Sequence, residues 1–198
     1  MPEGRIPHLH LPLSLPLSLL ACAGLICAGV IWAGEGAAQD DGFEKDDPAF
    51  VPFRDLVATG DLLTDALPSA DASSSGCMVN YTLRVLSPDL GVPLTVTATA
   101  DAKALDFEGW QPELREGEIR ALIPATGTAF LTMTLSDTDR ARQEAFATRV
   151  PARCHDAGCD ATMAVPGFVF SVFDAPLSVA QAARDALRGF AQACKASQ

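Results

Sequence analysis

Apolar and polar positions alternate from residue 77 onward. Cys77, Val79, Tyr81, Leu83 and Val85 fall on one side, and Asn80, Thr82 and Arg84 on the other. A period of two marks a strand with one face buried and one solvated. The pattern recurs where Leu94, Val96, Ala98 and Ala100 alternate with Thr95, Thr97 and Thr99. Ile119, Ala121 and Ile123 then alternate with Glu118, Arg120 and Leu122, and Ala129, Leu131, Met133 and Leu135 with Thr132, Thr134 and Ser136. Strand-like runs follow at 146–154, 159–165 and 168–173. Turn signals separate them at Ser87-Pro88-Asp89, Pro124-Ala125-Thr126-Gly127 and Ser136-Asp137-Thr138-Asp139. Short antiparallel strands at this spacing predict a mainly β, sandwich- or barrel-like domain.

The period changes at the C-terminus. Val179, Ala183, Ala186, Leu187, Phe190 and Cys194 recur at helical spacing, after Pro176 and a Ser178-x-x-Gln181 capping box. A C-terminal helix follows, with Gly189 weakening its last turns. Upstream of the strands, 67–76 (Leu-Pro-Ser-Ala-Asp-Ala-Ser-Ser-Ser-Gly) reads as a flexible stretch, and 39–50 as an acidic leader. Between them, 50–63 carries either a short strand or a helical turn. The predicted organisation is therefore 1–38, an acidic and flexible 39–76, and a β-rich domain with its helix over 77–198.

Residues 11–34 contain no charge and are rich in Leu, Ala, Ile and Val, behind a leader with Arg5, His8 and His10. Small residues at Gly36 and Ala38 place a signal-peptidase cut after Ala38, so 1–38 reads as an export signal. Two alternatives stand beside cleavage. One is retention of the apolar run as an anchor, membrane contact being expected only through this N-terminal segment. The other is acylation at Cys22 in Leu19-Leu20-Ala21-Cys22. Cleavage predicts a periplasmic or secreted protein.

Export changes the chemistry that remains. The whole chain carries 14 Lys+Arg against 25 Asp+Glu. Without Arg5, Glu3 and Glu35 the mature part keeps 13 against 23, a net −10. This charge leaves nothing to neutralise a run of phosphates, which excludes nucleic acid as a partner. Cys77, Cys154, Cys159 and Cys194 remain, and His155 is the one histidine left. An even cysteine count in an exported chain predicts two disulfides.

Cys154-His155-Asp156-Ala157-Gly158-Cys159 is the densest group of reactive side chains. Structural zinc needs a second ligand pair at finger-like spacing, and C-x4-C is wider than the redox C-x-x-C, so a disulfide closing a tight turn is the expectation. His155 reads as a solvated turn residue, with Asp156 pointing away from it. Asn80-Tyr81-Thr82 is a glycosylation sequon inside a predicted strand, a poor acceptor site. Trp110 reads as a loop side chain tucked over the sheet, with an exposed contact residue as the other possibility. No cofactor is called for.

The stretch 60–159 resembles the invasion-associated locus B family, small exported proteins of alphaproteobacteria. The residues that carry the resemblance are Gly60-Asp61-Leu62, Cys77 and the run from Gly91 through Pro93 to Val96. Arg120-Ala121-Leu122-Ile123-Pro124, Arg153-Cys154 through Gly158-Cys159, and a closing Gly189-Phe190-Ala191 complete it. Leu62 stands where the family carries tryptophan, and no cysteine lies near Ala66. Membership implies an exported, disulfide-braced β protein without catalytic residues.

The cysteine pairing follows from position. Cys154 ends one strand pattern and Cys159 begins the next, so a bridge between them closes a hairpin. Cys77 starts a strand on its apolar side, and Cys194 lies on the apolar face of the terminal helix, so these two pair by docking of helix on sheet. The alternative is two unpaired buried thiols. The expected function is that of an exported accessory or interaction protein with a protein partner in the envelope or outside the cell. The alternative is a periplasmic enzyme or thiol redox factor using Cys154, Cys159 and His155.

Overall fold

A computed structural model describes residues 47–197. Residues 1–38, read above as an export signal, and residues 39–46 of the expected leader lie outside the described residues. The chain is mainly β, built on one antiparallel sheet with a helix at its C-terminal end, as the alternation predicts. In chain order the elements are α1 (Val51–Val57), β1 (Ser69–Ser75), β2 (Met78–Leu86), β3 (Pro93–Asp101), β4 (Gln111–Arg115), β5 (Glu118–Leu135), α2 (Arg140–Ala147), β6 (Arg153–His155), β7 (Gly158–Phe173) and α3 (Leu177–Ala196). The seven strands run β1-β2-β3-β5-β7-β6, with β4 also paired to β5.

Two long strands organise the sheet. The alternation predicts separate strands at Ile119–Ile123 and Ala129–Leu135 around a turn at Pro124; they are the halves of β5. Likewise 159–165 and 168–173 form one strand, β7, pairing with β5 along its length. The turn signal marks a bulge instead: residues 125–128 of β5 stand opposite Pro166 alone. A preceding segment occupies the backbone freed there. Asp106 N donates to Pro124 O (2.7 Å), Thr126 Oγ1 donates to Ala104 O (3.1 Å), and Ala125 bridges Leu105. A bulge bends and twists its strand, and the sheet curls enough for Tyr81 of β2 to donate to Ser171 O of β7 at 3.1 Å, although these strands are not neighbours. Where β5 and β7 pair most closely only glycine fits. A Cβ at Gly158 would meet Leu135 O at 2.0 Å, and one at Gly167 would meet Ile123 O at 2.2 Å.

Four other expectations are corrected. The stretch 67–76 is not a flexible linker, since its residues Ser69–Ser75 form an edge strand paired with β2. Its fully buried positions are Ser69, Ala70 and Ala72, all small, so its composition resembles a loop while its partner supplies the burial. The domain also begins before residue 77: α1 sends Phe50, Phe53 and Val57 into the core. The run 146–154 is not a strand. Asp139, the last residue of the predicted turn, caps α2 by accepting from Ala141 N (2.8 Å) and Arg142 N (3.3 Å), and only Arg153–His155 are extended. The Ser178/Gln181 capping box does not form; Pro176 is the N-cap of α3, without a side-chain bond.

The main core lies between the curled sheet and the helices. Phe50, Phe53, Phe168, Phe170 and Phe190 are all fully buried and meet in tilted and edge-on pairs, such as Phe53–Phe170 at 5.4 Å and Phe50–Phe190 at 5.2 Å. Edge-to-face geometry matches ring quadrupoles and adds to the area effect. Trp110 is tucked in rather than exposed. It packs on this core with the Arg184 guanidinium of α3 over its ring at 4.6 Å. A smaller cluster of Leu135, Phe146, Cys159 and Ala161 sits at the other end, under α2.

Candidate functional site

The bend in β5 leaves a cleft of about 330 Å³ between the β2–β3 wall and the first half of β5 with the second half of β7. Alternation puts Leu83 and Val85 of β2, Val96 and Ala98 of β3, Leu131 of β5 and Val169 of β7 into its walls. The volume is at the lower end of small-molecule sites, and the aliphatic lining with a few convergent polar groups is typical of them.

Those polar groups come from alternate positions of the bent strands. Glu118 Oε1 accepts from Ser171 Oγ (2.6 Å) and from Arg120 Nε (3.4 Å). Glu118 and Arg120 therefore neutralise one another at the mouth. Tyr81 closes the inner end, its hydroxyl donating to Ser171 O. Burial pushes its phenol well above the ordinary value, and the nearby Glu118 charge pushes the same way. Its hydroxyl stays neutral across the physiological range. The sequence places Glu118 and Arg120 only as the solvated side of a strand, so the cleft is missed there. The bulge that turns them towards β2 depends on a backbone segment far from both.

The hairpin end is a different environment. Cys154 and Cys159 face each other across β6–β7 and are disulfide-bonded, with Cα atoms 4.0 Å apart. Cys77 and Cys194 form the second disulfide, with Cα atoms 5.8 Å apart. Both pairings are those expected from position. Cys154 is exposed and Cys159 fully buried. His155 is exposed at the turn; its Nε2 lies 3.3 Å from Asp160 Oδ2 across the hairpin. Asp156 points elsewhere, to Arg140 at 3.5 Å. Thr134 Oγ1 donates to Asp160 Oδ1 at 2.8 Å. Pro151, Arg153, His155, Asp160 and Thr162 line a hollow of about 580 Å³. It is larger than the cleft, but its walls are exposed side chains that cannot exclude water. Among the described residues no three His, Cys, Asp or Glu side chains converge as a metal site.

Gln143, not singled out by the sequence, ties this end together. It is 3% exposed, and Nε2 donates to Asp137 O (2.8 Å) and His155 O (3.1 Å), while both hairpin sulfurs lie within 4 Å of its carbonyl oxygen. A glutamine on a polar helix gives no sequence signal of burial. Asp137 is held below the usual carboxylate range by the Asp139 backbone N–H and by Arg142, whose Nη1 donates to it at 2.9 Å. The sequon residue Asn80 is committed to the sheet, accepting from Thr99 Oγ1 at 2.8 Å. No helix among the described residues is long and apolar enough to cross a membrane. No protein-family model, curated protein or solved structure matches the chain.

Proposed function

We propose that the chain is an exported, disulfide-braced accessory protein of the bacterial envelope, periplasmic or secreted, that acts by binding and not by catalysis. The observation that carries the reading is the aliphatic cleft, whose charged groups already pair with each other at its mouth. Such a site holds an apolar group without presenting a nucleophile or a poised acid–base pair to it. Two disulfides support export, because they persist where thiols are not kept reduced. The resemblance to invasion-associated locus B proteins points the same way.

Native mass spectrometry of the protein recovered from its own envelope fraction tests this. Expected are an N-terminus near Gln39, a mass four hydrogens below the fully reduced form, and an additional bound mass that Val96→Phe removes by filling the cleft. A full-length, reduced and ligand-free species would contradict it.

The second reading, a thiol redox factor or periplasmic enzyme, is favoured by one observation: His155 pairs with Asp160 beside the exposed Cys154. It requires a hairpin disulfide that opens readily to a thiolate of low pKa, and loss of that reactivity in His155→Ala. Slow alkylation of the native protein under mild dithiothreitol, unchanged by His155→Ala, sets it aside.

A further inference from the structure

Resting on the binding reading, we propose that the cleft takes the hydrocarbon tail of a medium-chain carboxylate, with the carboxylate held by Arg120 at the mouth. The volume of about 330 Å³ corresponds to roughly eleven waters at about 30 Å³ each, room for a chain and not for a large ring system. The walls are aliphatic. Among the described residues Tyr81 is the only aromatic ring lining the cleft, and its hydroxyl is already donated to Ser171 O. A sugar or nucleobase would find no open stacking face and few donors there. A flexible alkyl chain needs neither, since it gains from apolar area alone.

The head group follows from how Arg120 is partnered. Its Nε is spent on Glu118 Oε1, and Glu118 is also held by Ser171 Oγ. Neither Nη atom of Arg120 has a hydrogen-bond partner among the described residues. Glu113, opposite Arg120 in the β4–β5 register, has its carboxylate taken by Arg115 Nη2, at 2.9 Å to both oxygens. The guanidinium is thus oriented by one carboxylate while keeping its outer donors for a second. Such a fork matches the two oxygens of a carboxylate, and it repels an ammonium head. The hollow along Gln111, Pro112 and Leu122 also shares Arg120 and Val169 with the cleft, so the head group sits where two depressions meet.

Titration of the oxidised protein with hexanoate, octanoate and decanoate, followed by calorimetry, tests the proposal. The dissociation constant is expected to fall about fourfold per added methylene, the increment of burying one such group. Decanol is expected to bind at least tenfold more weakly than decanoate. Arg120→Gln should erase that preference while leaving chain-length dependence in place, and Val96→Phe should abolish binding with melting behaviour unchanged. No saturable binding of decanoate, no dependence on chain length, or equal binding of decanol by the wild type would overturn the proposal. If decanoate fails while Val96→Phe still removes an envelope-derived mass, the ligand class is wrong and the binding reading stands.

Discussion

At one end of the sheet Cys77, just before β2, is bonded to Cys194 near the end of α3, 117 residues away. At the other, Cys154 and Cys159 join adjacent strands only five residues apart. The first bond is backed by five fully buried phenylalanines and the whole inner face of α3, the second by a cluster of four buried residues under a short polar helix. The two bonds therefore do different work. A bond closing a long loop removes much of the freedom of the unfolded chain, and a short loop had little to lose. The long bridge ties the start of β2 to α3 across the main core, whereas the short one fixes a turn. The cleft draws its walls from β2, which follows Cys77, and from β3, β5 and β7, all packed in the core that the long bridge closes.

Replacing both Cys77 and Cys194 by alanine should have the largest effect. Chain entropy alone accounts for a loss of about 5 kcal/mol, read as a lower urea midpoint. Replacing both Cys154 and Cys159 should cost about 2 kcal/mol. A second double variant as destabilised as the first would break the contrast. Gln143→Ala leaves Asp137 O and His155 O without their donor and should cost about 1–2 kcal/mol. That loss should shrink when the hairpin bond is also removed, because the two act on the same turn.

The smallest effect is a pH dependence. Asp137 has its folded pKa depressed by the Asp139 N–H and by Arg142, so its stabilising contribution is complete above the ordinary aspartate value of about 4. The contribution fades as pH falls through the depressed value. The stability gap between wild type and Asp137→Asn should accordingly be constant at neutral pH and close in acid. A gap that widens in acid would reverse the assigned sign.

The same contrast explains what the sequence discloses. β2, β3 and both halves of β5 are legible because each carries one apolar and one polar face, and period-two patterning reports that directly. The cysteine pairing is legible because Cys77 and Cys194 each fall on an apolar face. β1 and β4 are not: Ser-Ala-Asp-Ala-Ser-Ser-Ser and Gln-Pro-Glu-Leu-Arg are edge strands whose identity lies in their partners. α2 was hidden because it buries one apolar anchor, Phe146, beside a glutamine. The cleft was hidden for a further reason. Its walls come from both sides of the bulge of β5, on which residues 104–106 dock, and Pro124 followed by Gly127 reads locally as the end of a strand.

Hydrogen exchange of the native protein, compared between the two cysteine double variants, tests the central claim most directly. Without Cys154–Cys159, faster exchange should be confined to β6, α2 and the first residues of β7, with the amides around Tyr81, Ala98 and Ser171 as protected as in the wild type. Without Cys77–Cys194, protection should fall in β2, α3 and the cleft strands together. Loss of protection around Tyr81 and Ser171 on removing the hairpin bond alone would contradict the account.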